Sequence, residues 1–247
     1  MDVFAFPPIA ALLDLAYAGL MGLASLLEPV AGASAAAAAV VLVTLLVRTA
    51  LIPVGISQSK AEQTRVRLAP RLRELQKRYR KSPERLQRET MQLYRDERTS
   101  PFAGCLPVLL QAPVIGLVYA VFLHPTIAGH ANELLNQTLL GVPLGTSLTG
   151  AAFGGALTPM TLVVIGAVVM LIAVVGELTR RMLRMPPLPR DDDSPLPVVS
   201  TRMLGMLQLT TAVVAVFVPL AAALYLLTTV AWTLGQRLIL RRVYPLG

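Results

Sequence analysis

Residues 35–56 form one apolar run, long enough to cross a bilayer as a helix, and a single charge, Arg48, sits inside it. A guanidinium near the middle of a span costs roughly 2.5–3.5 kcal/mol on insertion scales, so such a residue is expected to face a wet interior and to serve function. Snorkelling is the plainer alternative. From Arg48 to the polar residues that begin at Ser57 is about 13 Å of helix at 1.5 Å per residue, and an arginine side chain covers only part of that distance.

Other runs of similar length follow, in a chain of 247 residues that is 55% hydrophobic with a mean hydropathy of +0.64. The pattern is that of an all-α membrane protein crossing the bilayer several times. Five spans are expected, at about 35–56, 103–123, 159–177, 203–218 and 220–236. A single helix from Met203 to Gln236 would be about 51 Å long, well beyond a hydrocarbon core of about 30 Å. Pro219 divides it, and Arg202 at one end with Arg237, Arg241 and Arg242 at the other favours a hairpin. One cysteine, Cys105, excludes an internal disulfide and a thiol cluster for metal. The N-terminus has no basic region of the kind that opens a signal peptide.

Orientation follows from where lysine and arginine fall. None lies in residues 1–47 or 99–179, whereas 13 of the 22 lie between Lys60 and Arg98. Arg180, Arg181, Arg184, Arg190 and Arg202 follow the third span, and three more follow the fifth. All but Arg48 thus collect on one side, giving an external N-terminus and a cytoplasmic C-terminus. Residues 1–34 form an external segment, and 35–247 the five-span core. Within the core lie a cytoplasmic hairpin (58–99), an external loop (124–158), a cytoplasmic loop (178–202) and a short cytoplasmic tail (237–247). Residues 8–27 are apolar enough to suggest a sixth span, but Asp14 and the many small residues favour an external interfacial helix.

In the hairpin, Leu68, Leu72, Leu75 and Tyr79 make one helical stripe and Leu86, Thr90 and Leu93 a second. Between them Ser82-Pro83-Glu84 reads as an N-cap, a first-turn proline and an acid suited to the helix dipole. Pro70 is expected to kink or divide the first helix. The exposed faces carry Arg65, Arg71, Arg73, Lys77, Arg78, Arg80, Lys81 and Arg85. These charges suit a docking surface for clients, anionic lipid or a ribosome. The plainer reading is that they fix topology and touch lipid headgroups at about 1 kcal/mol each. No motif for nucleic-acid recognition accompanies them.

Thr44 shares a helix face with Arg48, and on the last span Tyr225, Thr229, Trp232 and Gln236 recur at helical spacing. Gln111, Gln208 and Thr211 are placed to line the same space. Taken singly, the threonines and glutamines are explained by hydrogen bonds between helices and Trp232 by interfacial anchoring. Taken together with Arg48, they describe a hydrophilic groove. None of the expected spans has an interior Asp or Glu, the nearest being Glu177 at an end, which argues against a carboxylate proton relay. Nucleotide-binding, zinc-protease and hydrolase motifs are absent, so neither an enzyme nor a cofactor is expected. Asp191-Asp192-Asp193 among prolines reads as a solvated turn.

Arg48, Pro53 and Gln58, the basic hairpin, and the stretch Ser100-Pro101-Phe102-Ala103-Gly104-Cys105-Leu106-Pro107-Val108-Leu109-Leu110-Gln111-Ala112-Pro113 resemble the YidC family of Oxa-type membrane protein insertases. The resemblance runs from about residue 9 to residue 242, and takes in Tyr225 through Trp232 and Gln236. It implies an insertase of the bacterial inner membrane, independent of nucleotide. A groove open to the cytoplasm receives short hydrophilic, often acidic, client segments while the client helix enters lipid. Arg48 is then the groove cation, with Thr44, Gln111 and Tyr225 at lining positions. Nascent membrane proteins, anionic lipids, the ribosome and the Sec translocon are the implied partners. Two departures stand out. The stretch Pro219 to Thr229 lacks the glycine and second aromatic common in the family, and only five residues follow Arg242, so no long ribosome-binding tail is expected. From the residues alone, a small channel or anion transporter using Arg48 and a non-catalytic assembly factor remain alternatives.

Overall fold

The apolar runs and the amphipathic stripes both become helices, in a computed structural model that describes residues 7–97, 116, 120–127, 129–182 and 210–243, with Glu62 and Arg65 by backbone alone. In chain order come α1 (Pro7–Ala31), a 3-10 turn (Gly32–Ser34), α2 (Ala35–Ala50), α3 (Ile52–Arg78) and α4 (Pro83–Asp96). Then follow two-residue strands β1 (Thr126–Ile127), β2 (His130–Ala131), β3 (Thr138–Leu139) and β4 (Val142–Pro143), a 3-10 turn (Glu133–Leu135) lying between β2 and β3. Helices α5 (Leu148–Phe153), α6 (Pro159–Met182) and α7 (Leu220–Val243) complete the order, with a further helical segment at residues 210–217. Two compact units are distinguished. One holds the described residues up to Thr49 and from Gly116 through Leu234, the other those from Ala50 to Glu97 and from Gly235 to Val243.

In the first unit, α1 has three faces. Leu13, Leu20 and Ala24 are buried against the protein, and Leu12, Leu15, Leu26 and Val30 form an exposed apolar strip. Asp14, Ser25 and Glu28 lie exposed along the remaining edge. Gly32, at φ +52, turns the chain from α1 into α2. Helix α2 buries Ala35, Ala36, Ala37, Ala39 and Val40, small side chains that let neighbouring backbones approach closely where lipid supplies little hydrophobic drive. On α6, Val164, Ile165, Val168 and Ile172 are buried while Met160, Val163, Met170, Leu171 and Val174 are exposed. That exposed face is what a lipid-facing helix presents.

The expected loop 124–158 is more ordered than the sequence suggests. β1 pairs antiparallel with β2 and β3 with β4, so the expected all-α fold gains two minimal ladders. Leu134 and Leu144, both 0% exposed, with Ile127 and Val142, make its small core. Buried Asn132 ties the loop to the helical end that precedes it, its Nδ2 donating to the Val121 and His124 carbonyls at 2.7 and 2.9 Å.

In the second unit α3 and α4 pack as an antiparallel pair. Leu68 is buried, and Leu72, Leu75, Tyr79, Leu86, Thr90 and Leu93 are partly buried. Several boundaries differ from expectation. The first span stops at Ala50 and α3 starts at Ile52, where Pro53 occupies the first turn, a position in which its missing N–H costs nothing. Helix α3 continues through Pro70. Ser82 holds the N-cap position of α4, but its side chain makes no capping bond. Helix α6 runs on to Met182, and α7 to Val243, so residues 237–243 are helical where a tail was expected.

Among the described residues, three helical stretches are long and apolar enough to cross a membrane: Pro7–Ala50, which joins α1 to α2, Pro159–Met182 and Leu220–Val243. Most of the expected span 103–123 and of the loop 178–202, and residues 203–209 of the expected span 203–218, lie outside the described residues.

Candidate functional site

The start of α7 is the most densely packed part of the site. Its first N–H groups lack intrahelical acceptors, as at any helix start, and the loop that carries β1 to β4 supplies them. Leu220 N donates to the Thr146 carbonyl and Ala221 N to that of Leu144, both at 2.9 Å. Residues Leu220 to Tyr225 are all buried, none more than 9% exposed. Tyr225 is thereby held on a fixed helical turn.

Arg48, partly buried in the last turn of α2, meets this tyrosine, its guanidinium within hydrogen-bonding reach of the Tyr225 hydroxyl. Thr44, one turn earlier and 5% exposed, donates its hydroxyl to the Val40 carbonyl at 2.7 Å. That leaves the Thr44 oxygen able to accept. One turn beyond Tyr225, Thr229 has its hydroxyl buried with no hydrogen-bond partner among the described residues. Trp232, on the next turn, is partly buried and engaged by a neighbour. Thr211, in the helical segment 210–217, is partly buried. Gln111 and Gln208 lie outside the described residues.

Gln236 belongs to the second unit, where it lies across Gly55 of α3. A Cβ on Gly55 would fall on Gln236 Nε2, so glycine is what admits that side chain. The hairpin is fastened by charge. Arg67 and Arg71 on α3 donate to the two oxygens of Glu97 at the end of α4, at 2.7 and 2.6 Å. Arg71, expected to serve docking, is therefore engaged within the hairpin. The Arg78 guanidinium sits 5.7 Å from the Tyr79 ring centre, within cation–π range. Lys77, Arg80, Lys81 and Arg85 lie on exposed positions, whereas Arg73 is partly buried and Arg65 is described by backbone alone.

The arrangement brings a cation and hydroxyl groups together on apolar helices, a combination that several membrane proteins use. Comparison decides between them: the family model for the 60Kd inner membrane protein matches residues 27–246. The chain belongs to the 60Kd inner membrane protein family. Among similar members, the membrane protein insertase YidC of Streptomyces avermitilis is 27% identical over 220 residues, covering 83% of this chain and 51% of its own. That of Clostridium perfringens is 42% identical over 81 residues, 33% of this chain and 34% of its own. That of Helicobacter pylori is 40% identical over 83 residues, 34% of this chain and 15% of its own. The chain thus matches about half or less of the length of these curated relatives.

Membership in the 60Kd family agrees with the resemblance read from the motifs around Arg48 and the Ser100 to Pro113 stretch. Sequence reasoning missed Gly55, Asn132 and the loop carbonyls that cap α7. Only Gly55 left a signal, a glycine inside a helical pattern, which often marks close approach. The other two depend on contacts made through backbone oxygen, which no side-chain pattern encodes.

Proposed function

We propose that the protein is a membrane protein insertase and chaperone of the bacterial inner membrane. It moves short hydrophilic, often acidic, client segments through a positively charged groove while the client's apolar helix enters lipid. The observation that carries this reading is the pairing of Arg48 with Tyr225. The Tyr225 hydroxyl seats the guanidinium on a fixed helical turn, and a cation held in this way attracts a passing acid. The buried Thr229 oxygen supports a hydrated groove, since water is what satisfies a buried polar atom that protein does not. A wet groove shortens the dry path for a polar tail, lowering a barrier of several kcal/mol per unsatisfied polar group. Burial of the client's apolar helix in lipid drives the net reaction, with no nucleotide or metal step.

Five spans, an external N-terminus and a cytoplasmic C-terminus complete the proposal, on the strength of the lysine and arginine distribution. Helix α1 lies along the outer surface. Asp14 and Tyr17 touch the external loop, and so does the turn after Ala31, which packs on β3. These points are about 25 Å apart along the helix, more than one end of a perpendicular span offers to a loop. Its exposed apolar strip then faces lipid and its acidic edge faces water. The cytoplasmic hairpin, with cations beyond those paired to Glu97, receives clients, anionic lipid or the ribosome, and the Sec translocon is a partner for larger clients.

The test is insertion into liposomes of a single-span client with an acidic N-terminal tail, read by protease protection. Insertion is expected to require the protein, to fall about tenfold with Arg48→Ala, as for loss of one charged hydrogen bond, and further with Arg48→Glu. Arg48→Lys keeps part of it. Equal insertion by empty liposomes would overturn the reading. Protein-dependent ion flux that Arg48→Glu abolishes would replace it with a channel.

A further inference from the structure

Asp14 and Tyr17, three residues apart on one face of α1, both engage the external loop around a single residue, His130. The Nε2 of His130 lies 2.9 Å from Asp14 Oδ1. The Tyr17 ring lies beside the imidazole, with centroids 5.3 Å apart and planes at 43°. The backbone N–H of Glu133 donates to the Tyr17 hydroxyl at 3.2 Å. The other ring nitrogen, Nδ1, faces the Ala131 carbonyl at 3.5 Å. Both nitrogens therefore point at oxygens that only accept. A neutral imidazole has one N–H and satisfies one of them, while an imidazolium has two and satisfies both.

The charged surroundings are simple. Strand β1, paired to β2, contributes Thr126 and Ile127, neither of which titrates. The carboxylate of Glu133 accepts from Asn136 Nδ2 at 3.0 Å, and the ring of His124 is directed to the Ala120 carbonyl. From α1 come Asp14, which meets the imidazole directly, and Tyr17, whose hydroxyl is engaged by Glu133.

We propose that Asp14, Tyr17 and His130 form an acid-tightened clasp that fastens α1 to the external loop. The hydrogen bond that His130 donates to Asp14 raises the His130 pKa above its ordinary value, with the Ala131 carbonyl adding to the same effect. A pKa raised in the clasped state means that the clasp binds the proton more tightly than the open state does. Its full strength is present below the ordinary imidazole value of about 6.5 and is lost as pH rises through the raised value. The bond between Tyr17 and the Glu133 N–H does not involve the imidazole, and the turn after Ala31 packs on β3, so alkali loosens α1 at one attachment and does not release it. The clasp opens to the outside by virtue of the topology proposed above, but the titration itself is independent of sidedness.

The chain has two histidines, so nuclear magnetic resonance of isotope-labelled histidine in the full-length protein in lipid nanodiscs resolves them. His130→Gln identifies the resonance. His130 is expected to titrate above the ordinary imidazole value, and Asp14→Asn to bring it back. Hydrogen exchange of α1 amides, corrected for the intrinsic pH dependence, is expected to lose protection a few-fold between about pH 5.5 and about pH 9, across the titration window of histidine. Asp14→Asn and His130→Gln should both flatten that loss, while liposome insertion shows whether the variants stay folded. A His130 titration that Asp14→Asn leaves unchanged overturns the clasp. So does a pH-dependent loss of protection that survives in His130→Gln.

Discussion

The loop that carries β1 to β4 and the hairpin of α3 and α4 are both short excursions from apolar helices, yet they are held in opposite ways. The loop closes on neutral groups: Leu134 and Leu144 fully buried, Leu144 N donating to the Gln137 carbonyl at 2.7 Å, and Gly145 N to the Leu135 carbonyl at 2.9 Å. Among its described side chains the hairpin buries one, Leu68, and none of α4, and it fastens its open end with two ion pairs to Glu97. The arginines of those pairs have side chains 66% and 64% exposed. Neutral hydrogen bonds in a dry core are indifferent to salt, whereas exposed charges are screened by it. The loop is thus held by a dry neutral core and the open end of the hairpin by exposed charge pairs.

The comparison breaks most readily at Leu144. Leu144→Ala empties a fully buried position whose backbone also caps α7, and a loss of about 2–5 kcal/mol is expected in denaturant unfolding. A cost below about 1 kcal/mol would mean that the loop core does not hold the loop. Leu140 sharpens the comparison from the other side. It sits at φ +51 before Gly141 at φ +81, the two left-handed positions of a tight hairpin turn that asparagine and glycine prefer. Leu140 is 61% exposed, so Leu140→Asn sacrifices no packing and should stabilise by about 0.5–1 kcal/mol in the same assay. The smallest effect belongs to the hairpin. Glu97→Gln should cost about 0.2–1 kcal/mol, seen as faster hydrogen exchange in α4. That difference should vanish near 1 M salt, where the screening length falls to about 3 Å, while exchange in the loop stays unchanged.

How much of this was legible depends on whether the signal is periodic. The leucine stripes of the hairpin and the apolar run at α2 repeat over many turns, and their elements appear where expected. Boundaries shifted because proline at position 53 starts a helix and no residue near Gln236 ends one. The loop ladders have two residues per strand, too few for alternation to register, and the turn carries Leu140-Gly141 instead of a recognised turn pair. At the site, the placement of Arg48 within an apolar run was plain, and Tyr225 could be put on a shared helical face with Thr229. That these two side chains meet depends on how α7 is capped by Leu144 and Thr146. Arg71 looked like every other exposed cation, because nothing local distinguishes an arginine that pairs with an acid 26 residues away.

Tyr225 lies 177 positions after Arg48 in the chain. A ribosome adding about 5–20 residues per second needs about 9–35 s to supply it. Through that interval the guanidinium is already committed to its helix and is solvated by something other than its mature partner. The Leu144 and Thr146 carbonyls are synthesised in between, so the docking point for the final helix is ready before the helix arrives. The order of manufacture is therefore cation, then receptacle, then hydroxyl. A nascent chain halted before Leu220 carries the charge of the site without the residue that seats it.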